Sequence, residues 1–438
     1  MTLEHDVLPP IPQDQPRWPE IVPAGWIVLA VFANGPLILA QRALGVSMIP
    51  TQWLARIALA GLTLGAVLLR PRLTQRFLSP QMGVAVSAFG FSVFVSFCLA
   101  TLRPASSPAN LSSFVFMYGI GGLIFLTLLA PLPMKFGRIF RILFALSIAL
   151  GIAQTARQDL ILPDDILADF GIVFERFVDG RVRATSFFAS PPRFAEFLTI
   201  GSVLILHRIL FSATRRPLYL SIYFMTAWLL FNTYSRSGYI LFLTSSLILI
   251  IMDRKWLRSG RGMGRRGTFA IFGSAMAVAG VAIADLFPVA SPLTDTSSVE
   301  ARQQHWSELL ERFDSSTFLS FLFGTGQSAR FSRLDTEYFV VDNLLFAIFL
   351  YAGSLGVLTF VFLSCTLIRE SLRVPFDKDS PLRPLLAFFV GLLFESLFVD
   401  NHNTVFLTQL TLIGVLTQGA ISHGLSSPSQ ASIGTPLR

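Results

Sequence analysis

Apolar runs close to twenty residues long recur along this chain from one end to the other. In hydrocarbon, every backbone N–H and C=O needs a partner within the protein, so runs of this length are read as helices that cross a membrane. Twelve segments qualify: 22–41, 52–69, 82–102, 111–132, 138–155, 193–211, 217–233, 237–252, 268–287, 343–366, 384–399 and 404–421. Composition agrees, with 53% hydrophobic and 14% charged residues, against roughly 25% charged in soluble domains. The expected fold class is an all-α polytopic membrane protein of about twelve transmembrane helices. Cys98 and Cys365 both lie inside apolar runs, where they read as packing residues rather than as a disulfide framework or a metal site.

Short basic connections set orientation in such a chain. Alternating the spans from a cytoplasmic N-terminus collects most of the 34 Lys and Arg residues on the inner side, including Arg70, Arg72, Arg76, Lys135, Arg215 and the run from Arg254 to Arg266. The outer side becomes net acidic. The predicted order is a cytoplasmic tail (1–21), five spans (22–155), a first outer loop (156–192), four spans (193–287), a second outer loop (288–342), three spans (343–421) and a second cytoplasmic tail (422–438). The start of the chain is proline-rich and poor in basic charge, unlike a secretory signal. A sequence pI near 10.0 ordinarily raises nucleic acid as a partner. Here the basic charge is spread over inner loops facing anionic lipid, so membrane lipid is the expected partner and nucleic acid is not.

Against that acidic outer side, a few arginines stand out. In "VFERFVDGRVRATSFFASPPR" (173–193), Asp179-Gly180 between apolar runs signals a two-residue hairpin. Strand alternation then puts Arg181 and Arg183 on one face. They suit either a solvated hairpin paired with Glu175 or a grip on phosphate oxygens. In "NTYSRSGYI" (232–240), Arg236 is the one charge in a tight turn, flanked by Thr233 and Ser235. It reads as a helix-end or snorkelling residue, or as an anion site to which hydroxyls and helix N–H groups add donors. In "SSVEARQQHWSELLERF" (297–313), Ser297 and Glu300 form a capping box. Arg302 then shares a helical stripe with Trp306, Leu309 and Phe313, and points to a buried partner, either a carboxylate or a phosphate. "DNLLFAIFLYAGSLG" (342–356) places Asp342 and Asn343 at the head of a span. Asp342 fits a helix cap and equally a general base. Gly353 and Gly356 are expected on one helical face, permitting close packing. His402, in "DNHN", is a second base candidate.

These motifs, in this order and all at the predicted outer face, resemble the O-antigen ligase and polymerase superfamily, the Wzy-type proteins. Within it the chain is most similar to bacterial exopolysaccharide repeat-unit polymerases. The resemblance covers roughly residues 110–365. "RVRATSFFASPPRFAEFL" resembles the family's arginine segment before a span. "TYSRSG" resembles its Thr-x-Ser-Arg-Gly turn, with Ser237 where glycine is common. "EARQQHW" resembles its arginine-and-tryptophan helix. The last motif matches the family's span head and Gly-x-x-Gly, but family ligases carry histidine where this chain has Asp342.

The resemblance implies two large periplasmic loops and an inner-membrane location with both termini cytoplasmic. It implies a glycosyltransferase acting on undecaprenyl-diphosphate-linked oligosaccharides as donor and acceptor. Flippase and chain-length or export proteins would be its working partners. On that basis Arg183, Arg236 and Arg302 are expected to stabilise the diphosphate leaving group, and Asp342 to be the base. Arg181, Asn343, Thr233, Ser235, His402 and Trp306 are expected to contact substrate. With three arginines supplying counter-charge, no metal and no other cofactor is expected. A glycan ligase and a transporter or flippase of lipid-linked sugars are the alternatives.

Overall fold

A computed structural model describes residues 80–101, 136–157, 177–178, 181–188, 191–211, 216–252, 307, 318–324, 330–332, 338–340, 344–374 and 381–396. Helices dominate: α1 (Pro80–Thr101), α2 (Phe136–Ala156), α3 (Pro191–Phe211), α4 (Arg216–Asn232), α5 (Arg236–Met252), α6 (Phe318–Phe323), α7 (Leu344–Arg373) and α8 (Leu382–Glu395). Two short antiparallel hairpins accompany them, β1 (Phe177–Val178) with β2 (Arg181–Val182), and β3 (Arg330–Ser332) with β4 (Tyr338–Val340). Seven expected spans fall on described helices, and each begins within two residues of its predicted start. The expected spans at 22–41, 52–69, 111–132, 268–287 and 404–421 lie outside the described residues.

Among the described residues, two helices are long and apolar enough to cross a membrane, Pro191–Phe211 and Ile348–Arg373. The first of them, α3, packs against α2, α4, α5 and α8 and is buried over most of its length. Pro191 and Pro192 open it, where proline's fixed φ and missing N–H cost least. Close approach to α3 depends on small residues. Gly201 faces the ring of Phe144 from α2, and Ala195 faces Gly238 of α5. Phe140, Phe144, Phe188 and Phe197 stack and tilt against one another with centroids 5.1–5.8 Å apart, filling the space between α2, α3 and the segment before it. Large apolar side chains on other helices point outward, among them Phe91, Leu146, Ile251 and Leu358.

The glycine pair of α7 does something other than expected. Gly353 and Gly356 do not share one face of a continuous helix, because the helix is broken at Gly353, with φ 67° and ψ −168°. Only glycine adopts that backbone region without strain. The break receives the end of α6: a side chain on Gly353 would strike the Leu322 carbonyl, and one on Gly324 (φ 77°) would strike the Tyr351 carbonyl. Two backbones thus meet at two glycines. The Tyr351 carbonyl is also taken up by the Ser96 hydroxyl of α1. A second α1–α7 bond, Ser92 Oγ to Thr359 Oγ1 at 3.1 Å, lies two turns further along.

Gly353→Ala and Gly324→Ala should each destabilise the protein by about 1–3 kcal/mol or more, through strain and steric conflict together. Gly83, whose added methyl meets nothing within 4 Å, is the control: Gly83→Ala should be neutral or slightly stabilising. Thermal unfolding of the three variants in detergent checks this, and equal midpoints would refute the backbone docking.

Candidate functional site

The predicted turn at 232–236 is built by its own hydroxyls. α4 ends as Thr233 N–H and Tyr234 N–H bond to the carbonyls of Leu230 and Phe231, both at 3.1 Å. Tyr234 then takes a positive φ of 51°, the left-handed conformation that commonly closes a helix. Thr233 Oγ1 donates to the Leu230 carbonyl at 2.6 Å and accepts from Ser235 N–H at 3.3 Å. Ser235 Oγ accepts from Gly238 N–H at 3.2 Å, which makes Ser235 the N-cap of α5 and Arg236 its first residue. Tyr239 closes the arrangement, its hydroxyl donating to the Phe231 carbonyl at 2.7 Å while its ring stacks on Phe231. Thr233 and Ser235 are therefore buried parts of the turn, with their hydroxyls engaged in it.

The first arginine segment lies directly on this turn. The strands expected on either side of Asp179-Gly180 do pair, with Phe177 opposite Val182 and Val178 opposite Arg181. β2 ends at Val182, however, so Arg183 does not continue its alternation with Arg181. Arg183 instead donates from Nε to the Thr233 carbonyl and from Nη2 to the Tyr234 carbonyl, both at 3.1 Å. Ala184 N–H bonds to the Asn232 carbonyl at 2.8 Å alongside. A guanidinium has five N–H donors; these bonds use two of them, on carbonyls rather than on an external anion. Two motifs fifty residues apart are thus joined, and Arg183 is held within a few residues of Arg236.

The same segment is anchored from behind by α2. Gln154 Oε1 accepts from Thr185 N–H (3.1 Å) and Ser186 N–H (2.7 Å), and Nε2 donates to the Ser186 carbonyl (3.3 Å). Ser186 Oγ donates to the Ser147 carbonyl at 2.8 Å, and Ser186 itself has φ 51°. Nothing in the pattern of apolar residues marked Gln154, a single amide at the end of a run. A buried acid was also missed: Glu196, in the second turn of α3, is 2% exposed. Glu395 at the end of α8 is 1% exposed, and the next residue, Ser396, accepts through its carbonyl from Leu344 N–H at 2.9 Å.

Arg181 and Arg236 are placed by their backbone only, in β2 and at the start of α5. Asp342, Asn343, Arg302, Trp306 and His402 lie outside the described residues. Among the described residues, no three His, Cys, Asp or Glu side chains gather as a metal site would require. Comparison with protein-family models, curated proteins and solved structures finds no match to the chain.

Lysine cannot reproduce the forked contact of Arg183 with two successive carbonyls. Arg183→Lys should therefore destabilise the protein by on the order of 1–3 kcal/mol, close to the cost of Arg183→Ala. Thermal unfolding of both variants measures it. Full stability in the lysine variant would show that the two carbonyl bonds contribute nothing.

Proposed function

We propose that this protein is a polysaccharide polymerase of the inner membrane, joining undecaprenyl-diphosphate-linked repeat units at the periplasmic face. The observation that carries the proposal is the union of the two arginine motifs, in which Arg183 grips the turn that presents Arg236. A functional site needs such fixed placement, since preorganised cations stabilise developing charge without reorganising. The twelve-span topology, with both termini cytoplasmic, brings this turn, the second loop with Arg302, and the head of α7 to the same outer face. As the glycosidic bond breaks, negative charge grows on the bridging oxygen of the donor's diphosphate. Arg236 and Arg302 neutralise it, with Arg183 shaping the cleft. Asp342 takes the proton from the acceptor hydroxyl, and single displacement inverts the anomeric centre. Arg236 and Arg302 in place of Mg²⁺ make the reaction independent of metal.

A second reading has its own support. The break of α7 at Gly353, inside a candidate span, and the buried Glu196 and Glu395 are features of transporters, which use broken helices and intramembrane acids along a substrate path. A flippase of lipid-linked sugar is that alternative. A glycan ligase is the alternative within enzymes, and Asp342 in place of the ligase histidine disfavours it.

Purified protein supplied with lipid-linked repeat units decides among them. A ladder of lengthening products supports the polymerase, a single transfer to another acceptor the ligase, and transbilayer movement without bond formation the flippase. Activity should persist in excess chelator. Arg236→Ala and Arg302→Ala should each lower the rate by at least about 100-fold, the scale of losing one electrostatic contact to a transition state. Asp342→Asn separates two roles: asparagine caps a helix as well as aspartate does, so retained polymerisation would leave Asp342 as a cap alone.

A further inference from the structure

We infer that Gln154 is the positioning residue for Arg183, the group that fixes where the first arginine segment stands at the proposed diphosphate site. The inference rests on the polymerase reading for its function, while its geometry is independent of that reading. Gln154 is 4% exposed and belongs to the last turn of α2. Its one side chain engages three backbone groups of Thr185 and Ser186, at 2.7, 3.1 and 3.3 Å. Those residues follow Arg183 by two and three positions.

The segment Arg183–Ser186 is held on two sides. On one side Arg183 and Ala184 bond to the carbonyls of Asn232, Thr233 and Tyr234. On the other, Gln154 and the Ser147 carbonyl bond to Thr185 and Ser186. Phe188, 2% exposed, seals the end by packing on Phe194 and Phe197. Ser186 has a positive φ, a conformation a serine keeps only where its surroundings hold it. Gln154 supplies that hold, because its amide presents an acceptor to two successive N–H groups and a donor to the carbonyl between them and the next residue. Released from Gln154, the segment loses three of its bonds to α2, and the backbone that carries Arg183 to the carbonyls before α5 is less firmly held.

The test uses the full-length protein in nanodiscs, with Cys98 and Cys365 replaced by alanine and Thr185→Cys as a reporter. Labelling by a membrane-impermeant maleimide should be slow in the Gln154 parent. It should be at least about tenfold faster in Gln154→Leu, as expected for loss of three buried hydrogen bonds, and intermediate in Gln154→Glu, which keeps the acceptor but loses the donor to the Ser186 carbonyl. Equal labelling of the leucine variant and the parent would overturn the clamp. Should Gln154→Leu fail to accumulate, Gln154→Asn, one methylene too short to reach, takes its place. Inorganic pyrophosphate binding is then measured on the same proteins without the reporter. Binding weakened several-fold in Gln154→Leu supports the positioning role. Faster labelling with unchanged pyrophosphate affinity overturns it, leaving a loop anchor only. A parent that binds no pyrophosphate overturns the anion-site reading and the positioning role with it, and the labelling rates still report on the clamp.

Discussion

Residues 183–188 contain buried positions, Ala184, Ser186 and Phe188, that are neither helix nor strand, so their backbone polar groups must find partners one by one. A buried N–H or C=O left without one costs on the order of 1–3 kcal/mol. Helices satisfy that demand internally; an irregular segment packed among helices has to borrow. Here the lenders are the Gln154 amide and the Asn232 carbonyl at the end of α4, while the Ser147 carbonyl takes the Ser186 hydroxyl. The same requirement explains why α4 ends where it does. Carbonyls that no longer serve a helix are the ones available to Arg183 and Ala184.

The break in α7 obeys the same rule with different means. Interrupting a helix at Gly353 releases carbonyls of the preceding turn, and the Ser96 hydroxyl takes up that of Tyr351. Gly324 and Gly353 let α6 enter the gap because neither carries a side chain to block it. The result ties α1, α6 and α7 together. The arginine segment and the α7 break are thus two irregular features, each made tolerable by polar groups drawn from a neighbouring helix.

Much of the helical framework was legible in the sequence, since runs of apolar residues near twenty long leave little choice in hydrocarbon. The start of each described helix that falls on an expected span, and the pairing of the strands on either side of Asp179-Gly180, follow from run length, proline placement and turn chemistry. The tight turn at 232–236 was legible as a turn. Its hydroxyls were read as ligand donors, yet Thr233 and Ser235 bond to the turn itself. A hydroxyl near an arginine carries no mark in the sequence that says which role it has. Gln154 left no trace because a single amide has no period and its partners stand about thirty residues on. Gly353 was visible as a packing glycine, but whether a glycine packs or breaks its helix depends on what approaches it.

By itself the sequence determined that the chain is built of long apolar helices, where those helices start, and which arginine-bearing stretches interrupt them. Periodicity, run length and local turn chemistry act within a few residues, so they can be read without knowing the fold. Tertiary structure decided which stretches meet. It set Arg183 on the carbonyls before Arg236, placed Gln154 behind both, and drove α6 into the break at Gly353. These pairings set a backbone group against a side chain or another backbone far away in the chain, and a backbone carbonyl is the same at every position, so only the packing of the helices can select the partner.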